Sequence, residues 1–269
     1  MGETPYKLIN SPLPSVSVVI PTCGASLTVN DLPQYFLLEL MKSIESDMGD
    51  LLEVIIVFDA HTPQELLESL SVLPKVVLEP FNEPFNFSKK CNAGTRRASG
   101  DLILFLNDDM LARSSGWVNE IQMQFSSPDV GGVGGLLLTS EGLVQCAGHG
   151  NSPRPHIYGA GKDPNNPLFQ SQLMTTREAG GLSGACFAVR RNEYLEIGGM
   201  CEDLPSSYND VDLGFKLKTL GKKLMYVPSI QFLHYESISR DPKVTDKETT
   251  LIWRRWGRYF DSDPYVQNL

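Results

Sequence analysis

The sequence predicts an α/β fold in which short parallel strands alternate with helices, and three observations predict it. Apolar runs of strand length recur between stretches with helical spacing. Several of these runs end in polar or acidic residues, as buried strands do where a parallel sheet's edge emerges. The clearest, Leu102–Leu106, passes without a break into Asn107, Asp108 and Asp109. Capping residues, prolines and glycines punctuate the chain between the runs.

Residues 1–14 are polar, contain Pro5, Pro12 and Pro14, and read as a loose lead-in. Val16–Ile20 is a first strand, stopped by the segment from Pro21 to Gly24. The spacing from Leu32 to Ile44 predicts a helix, with Asn30 or Asp31 as cap and Pro33 in the first turn. Glu53–Phe58 is a second strand that ends at Asp59. Thr62, Pro63 and Glu65 have the form of a capping box with proline at the first helical position. After a short strand, Val76–Leu78, Ser88 is placed to cap a helix running to about Ser99, with Gly100 as its stop.

The Leu102–Leu106 strand follows, then a helix from about Trp117 to Phe125 and a glycine-rich strand, Val130–Leu138. Residues 151–181, with Pro153, Pro155, Pro164 and Pro167, are the least regular stretch and are expected to form a mobile flap over the site. Gly184–Arg190 returns to strand, and Asn192–Ile197 is a short helix closed by Gly198 and Gly199. A helix from Asn209 to Gly221 buries Leu213, Leu217 and Leu220. Leu224–Pro228 and Ile230–Glu236 read as two strands, the second carrying His234. Lys247–Tyr259 is amphipathic, a helix packed on the body, with an interfacial helix on anionic lipid as the alternative.

At 269 residues, 41% hydrophobic and 20% charged, the chain can bury a sizeable core. Its formal net charge of −9 argues against a nucleic-acid partner, whose affinity rests on a basic surface. No apolar run is long enough to span a bilayer, and the N-terminus has no charged-then-apolar signal pattern. A cytoplasmic protein is expected, with peripheral contact at a membrane's inner face left open. Cys23, Cys91, Cys146, Cys186 and Cys201 are scattered and odd in number, which fits reduced thiols.

Carboxylates side by side at the mouth of an apolar strand repel one another, so a site that keeps them usually holds an opposite charge. Alternation along the strand puts Asn107 and Asp109 on one side and Asp108 on the other. Hard oxygen ligands suit Mg²⁺ or Mn²⁺. The same triplet also reads as an Asx-type turn or a cap for the helix that follows. Asp59 and Asp109, both at strand tips, should lie near one edge, where a nucleotide can bridge them. No glycine-rich phosphate-binding motif occurs, so bound phosphates would need a metal. Asp210, reached through an exposed loop, is a carboxylate able to take a proton from an incoming hydroxyl. Asp212 reads as an acid complementing the dipole of its helix.

Seven segments in order resemble the inverting family 2 glycosyltransferases, in particular the rhamnosyltransferase-like, polysaccharide-building branch. They are Val18–Thr22, Phe85–Ser88 with Asn92–Gly94, Ala98–Asp109, Ser183–Cys186, Tyr208–Leu213, His234–Arg240 and Asp263–Tyr265. The resemblance implies a GT-A, Rossmann-like nucleotide-sugar-binding fold with a mixed, mostly parallel sheet flanked by helices. It implies a domain over residues 15–240 and a helical tail, 241–269, packed on it. It further implies a divalent metal, Mn²⁺ or Mg²⁺, on Asp109 and His234, and Asp210 as catalytic base. Pro21, Thr22, Asp59, Asn92, Asn107 and Asp108 would face the donor nucleotide. Relatives commonly have Asp where this chain has Asn107, Glu where it has Asn209, and a pair of acids or acid and amide at Phe58-Asp59. The implied activity is inverting transfer from a nucleoside-diphosphate sugar to a hydroxyl of a glycan or lipid-linked acceptor, in cell-surface polysaccharide synthesis. Two rivals are a nucleotidyltransferase, which needs a basic, glycine-rich loop that Pro21–Ser26 does not offer, and a non-catalytic binding module descended from such an enzyme.

Overall fold

The computed structural model describes residues 12–150, 157–235 and 244–260. Strand β1 (Val16–Thr22) is buried at every residue. Then β2 (Ser26–Val29) and β3 (Leu32–Tyr35) form an antiparallel hairpin, and α1 (Phe36–Ser43) begins only after it. Asn30 and Asp31 adopt φ of 50° and 62°. That left-handed pair is what a two-residue hairpin turn demands and what Asn and Asp tolerate best, so these residues reverse the chain instead of capping a helix.

Strand β4 (Glu53–Asp59) matches the expected strand, and α2 (Gln64–Ser71) follows without the predicted capping box. Pro63 occupies the N-cap, and Glu65 instead accepts from the Tyr35 hydroxyl. Strand β5 (Val76–Phe81) is longer than its apolar run suggests. Helix α3 (Phe87–Arg97) is capped by Asn86, whose side chain accepts from the Lys89 N–H at 2.9 Å. Ser88 lies inside that helix and donates to the Leu204 carbonyl at 2.7 Å. Gly100 does not stop the helix; a Cβ there would lie 2.5 Å from the Ser17 hydroxyl, so it marks a close approach of two strand entrances.

Strand β6 (Leu102–Leu106) is followed by a tight turn, β7 (Met110–Ala112), α4 (Trp117–Gln124), the glycine-rich β8 (Val130–Leu138) and β9 (Val144–Cys146). Within the irregular stretch, residues 151–156 lie outside the described residues. The remainder is anchored by buried Tyr158, Leu173 and Ala179 and holds α5 (Pro167–Leu173) and β10 (Arg177–Glu178), while most residues between 159 and 176 are exposed. Then come β11 (Cys186–Arg190), α6 (Arg191–Glu196) and α7 (Asn209–Thr219). Leu213 and Leu217 are buried as expected, whereas Leu220 is 39% exposed because the helix ends before it.

The two strands predicted after α7 are one, β12 (Lys223–His234). Its register against β8 slips between Val227 and Gln231, and that irregularity accommodates Pro228, which has no N–H for the ladder. The last helix is α8 (Asp246–Trp256), opened by a capping box between Thr245 and Glu248. Residues 236–243 and 261–269, which include the end of the His234–Arg240 segment and all of Asp263–Tyr265, lie outside the described residues.

The sheet runs β10-β12-β8-β11-β6-β1-β4-β5. Its long strands all point the same way except β11, which is antiparallel to both β6 and β8. Alternate residues feed opposite faces: Val16, Val18 and Ile20 of β1 join α1, α2 and α4, while Val19 meets the core that includes Cys91 of α3, Tyr194 of α6 and Leu213 of α7. A third cluster, Leu204, Val211, Phe215, Ile252 and Phe260, binds α8 to α7. All five cysteines are free thiols. Among the described residues no helix is long and apolar enough to cross a membrane.

Candidate active site

A cavity of about 370 Å³ opens where β1 and β6 end, and the starts of β11 and α7 and the end of β12 complete its wall. Its lining includes Pro21, Thr22, Asn107, Asp108, Asp109, Asp210 and His234. Register places the strand tips: Thr22 of β1 pairs with Phe58 of β4, next to Asp59, and β6 lies on the other side of β1.

After β6 the chain turns through Asn107–Asp109 and pairs β7 antiparallel to β12, with Met110 opposite His234. Asp109 thereby arrives beside a histidine far along the chain, and its Oδ1 lies 3.2 Å from His234 Nε2. Asn107 Nδ2 is also 3.2 Å from that nitrogen. Asp108 turns the other way and accepts from the Thr22 hydroxyl at 2.6 Å. The alternation of the triplet is thus realised. Burial, with the neighbouring Asp109 charge adding to it and the Thr22 hydrogen bond opposing, raises the Asp108 carboxyl to about 6.

The Asp109–His234 pair has the character of a cation site. Asp109 Oδ1 and Asn107 Oδ1 are buried without a hydrogen-bond partner. His234 Nδ1 is 2.6 Å from Gln145 Oε1, an atom that can only accept; a neutral ring that donates there presents a lone pair at Nε2. Two lone-pair atoms 3.2 Å apart are stable with a positive charge between them. Among the described residues no three His, Cys, Asp or Glu side chains converge as a metal cage. One carboxylate and one imidazole, with the rest of the shell left to substrate oxygens, fit Mg²⁺ or Mn²⁺.

Asp210 occupies the first turn of α7. Its Oδ2 accepts from the Gly184 N–H at 2.9 Å and its Oδ1 from the Val211 N–H at 2.8 Å, which orients both oxygens. Gly184 permits this approach, since a Cβ there would stand 3.2 Å from the Asp210 Cβ. The preceding Tyr208 has φ of 60°, a left-handed conformation that turns the loop into the helix. Beside Asp210, the Nδ2 of Asn209 is buried without a hydrogen-bond partner.

Two predicted nucleotide residues sit elsewhere. Asn92 does not line the cavity; its amide is engaged by the Met200 N–H and carbonyl, the Tyr194 hydroxyl and Glu202. An asparagine with its donors and acceptor so occupied is a structural clamp between α3 and the loop after α6. Asp59 also stands back from the cavity and pairs with Lys90 at 2.6 Å. Lys90 is fully buried, donates to the Thr22 carbonyl at 2.7 Å and lies over the rings of Phe81 and Phe85. It therefore ties the tip of β4 to that of β1. Its place on the buried face of α3, beside Phe87, Cys91 and Gly94, is the signal that sequence reasoning passed over.

Helix α8 holds the loop leading to Asp210. Glu248 Oε1 accepts from the N–H groups of Ser206 and Ser207 at 3.0 and 2.8 Å, and both serines line the cavity. Burial opposes ionisation of Glu248, but the Ser207 N–H, the Thr245 hydroxyl and the Ser206 and Thr245 N–H groups outweigh it and hold the carboxyl below its usual range. Asp212 does more than complement a helix dipole: fully buried, it meets Arg255 at 2.8 Å, Trp256 Nε1 at 2.7 Å and Lys216 at 3.1 Å.

A model of the family described as Glycosyl transferase family 2 matches residues 17–197. The chain belongs to glycosyl transferase family 2. An O-antigen biosynthesis protein, RfbC, of Myxococcus xanthus is 30% identical over 84% of this chain and 18% of its own length. An N-acetylglucosaminyl-diphospho-decaprenol L-rhamnosyltransferase of Mycobacterium tuberculosis is 43% identical over 29% of this chain and 28% of its own. The chain thus spans less than a third of each of these curated relatives. Among solved structures, GalNAc-T7 with UDP, GalNAc and Mn²⁺ superposes with a TM-score of 0.68, at 14% identity over 93% of this chain and 50% of that one. The mannosyltransferase PcManGT of Pyrobaculum calidifontis, in complex with GDP-Man and Mn²⁺, gives 0.59, at 17% identity over 84% and 58%. This family 2 chain therefore has the GT-A fold. Asp210, His234 and α8 lie beyond the range of the family match.

Proposed function

We propose that this family 2 enzyme transfers a sugar from a nucleoside-diphosphate sugar to a hydroxyl of a glycan or lipid-linked acceptor, with inversion, in the synthesis of a cell-surface polysaccharide. The observation that carries the reading is the convergence on one cavity of the Asp109–His234 pair, with its unpartnered carboxylate oxygen, and of Asp210, held by two backbone N–H groups. The names of the relatives, an O-antigen biosynthesis protein and an N-acetylglucosaminyl-diphospho-decaprenol L-rhamnosyltransferase, support the polysaccharide context.

Pro21 and Thr22 face the donor nucleotide, and Lys90 and Asp59 stiffen the backbone behind them. Asp108, locked by Thr22, borders the same end. Asp210 takes the proton of the acceptor hydroxyl. The new oxygen–carbon bond forms at the anomeric centre while the bond to the diphosphate oxygen breaks on the opposite face, and inversion follows. Asp109 and His234 would hold Mn²⁺ or Mg²⁺, which, when bound, neutralises charge gathering on the leaving diphosphate.

The test is release of nucleoside diphosphate from a panel of nucleotide sugars with Mn²⁺, with Mg²⁺ and with chelator. Metal-dependent hydrolysis of one donor is expected, and it would name the sugar. Silence across the panel, joined to absence of metal-dependent donor binding, would overturn the reading in favour of a non-catalytic binding module.

A further inference from the structure

We propose that Gln145 is a positioning residue that selects the tautomer of His234 and thereby makes the Asp109–His234 pair a cation site. The inference rests on the reading of that pair as metal ligands. Gln145 sits in the middle of β9 and lines the cavity together with the mostly buried Cys146, while Val144 turns into the core. β9 pairs with β8, and β8 pairs in turn with β12, so the side chain reaches across one strand to the end of another.

The amide grips His234 twice. Its Nε2 lies 3.4 Å from the His234 backbone carbonyl, and its Oε1 lies 2.6 Å from the ring Nδ1. A carbonyl can only accept, which assigns the NH₂ end of the amide to it. The oxygen end must then face Nδ1, and that nitrogen must carry the ring's proton. The opposite tautomer would leave two acceptors facing each other at 2.6 Å. It would also point an N–H at the Asn107 amide donor, 3.2 Å away.

Asp109 competes for the same proton, because an N–H at Nε2 would satisfy its lone oxygen at 3.2 Å. Gln145 decides the contest. With the proton on Nδ1, His234 and Asp109 are both acceptors and the pair calls for a cation; with the proton on Nε2, the pair satisfies itself and competes with the metal. Fixing the tautomer of a metal-binding histidine through its second nitrogen is a general device, and removing such a partner typically costs about 10- to 100-fold in metal affinity.

The experiment uses the full chain with ¹⁵N-labelled histidines, the His234 signals being assigned by His234→Gln. Two-bond ¹⁵N–¹H correlation reads the tautomer without metal, and proton relaxation enhancement reads binding of Mn²⁺, alone and with uridine or guanosine diphosphate. Wild type is expected to show Nδ1–H. Gln145→Leu should move the ring to Nε2–H and weaken Mn²⁺ about 10- to 100-fold. Gln145→Glu, which keeps an acceptor for Nδ1–H, should restore both. Nδ1–H retained in folded Gln145→Leu, or Mn²⁺ affinity within about twofold of wild type despite a changed tautomer, overturns the proposal. Wild type with Nδ1–H that binds no Mn²⁺ under any of these conditions would defeat the metal reading itself, while the tautomer data still judge the hold of Gln145 on the ring.

Discussion

On the strand-tip side, Thr22, Asp59 and Asn107–Asp109 sit at or just beyond the ends of three parallel neighbours, and register brings them together, with Lys90 tying Asp59 to Thr22. On the other side, Asp210, the Ser206–Ser207 loop, Gln145 and His234 arrive from separate stretches and are held by side chains from elements far away in sequence. The first side is a consequence of strand order and lies within the range matched by the family model, as does Gln145 of the second side, whereas Ser206–Ser207, Asp210 and His234 lie beyond it. The second depends on clamps, chiefly Glu248 and Asp212 with their partners on α7 and α8. The difference teaches that strand-tip residues come together with the sheet itself, whereas the residue proposed as base has to be positioned by packing.

The largest effect expected from this comparison is catalytic and confined to the clamped side. Asp210→Asn keeps the shape of the side chain and one oxygen to accept from one of the two backbone N–H groups; it should fold, yet lose about 10²- to 10⁴-fold in turnover. Donor affinity, measured by calorimetry, should not change. Near-normal turnover in the folded variant would remove Asp210 from the role.

Next comes a stability effect on the strand-tip side. Lys90→Met leaves Asp59 without its buried partner and should cost about 3–5 kcal/mol in urea unfolding. The double variant Lys90→Met with Asp59→Leu should recover most of that loss, because no charge is then stranded. If the single variant is as stable as wild type, the tie between β1 and β4 is not the structural element described.

A smaller effect probes the clamp. Glu248→Ala strands the N–H groups of Ser206 and Ser207 and should destabilise by roughly 2 kcal/mol, with faster hydrogen exchange confined to the loop before α7. The smallest is its pH dependence. Because the folded-state carboxyl of Glu248 lies below its unfolded value of 4.5, its contribution is complete above that value and is lost as pH falls through the lowered one. The stability gap between wild type and Glu248→Gln should therefore be constant above about pH 5 and narrow below about pH 4. A gap that is flat across the acid range would show that the charge is not what holds the loop.

Much of the strand-tip side was legible because a parallel strand announces itself locally, as an apolar run with a polar end, and because β1, β4 and β6 each carry that pattern within a few residues. The expected separation of Asn107 and Asp109 from Asp108 is found, but in the turn that follows β6 and not within the strand whose two-residue period suggested it. The hairpin before α1 was not legible, since Leu32, Tyr35 and Phe36 satisfy a helical spacing too, and only the left-handed Asn30–Asp31 turn decides between the two. Asn92 was assigned to the nucleotide from its motif, yet its amide is spent on Met200, Tyr194 and Glu202, partners about a hundred residues away that no local pattern reveals.

By itself, then, the sequence determined the alternation of strands and helices, the face each apolar residue takes and the acidic tips, because these depend on the backbone's own periods and on the cost of burying charge. Only the tertiary structure decided that Asp109 meets His234, that the Gln145 amide lies against that ring and that α8 holds the loop before Asp210. Those contacts join residues whose separation along the chain carries no energy of its own, and they exist only once the sheet and its packed helices have fixed the distances between them.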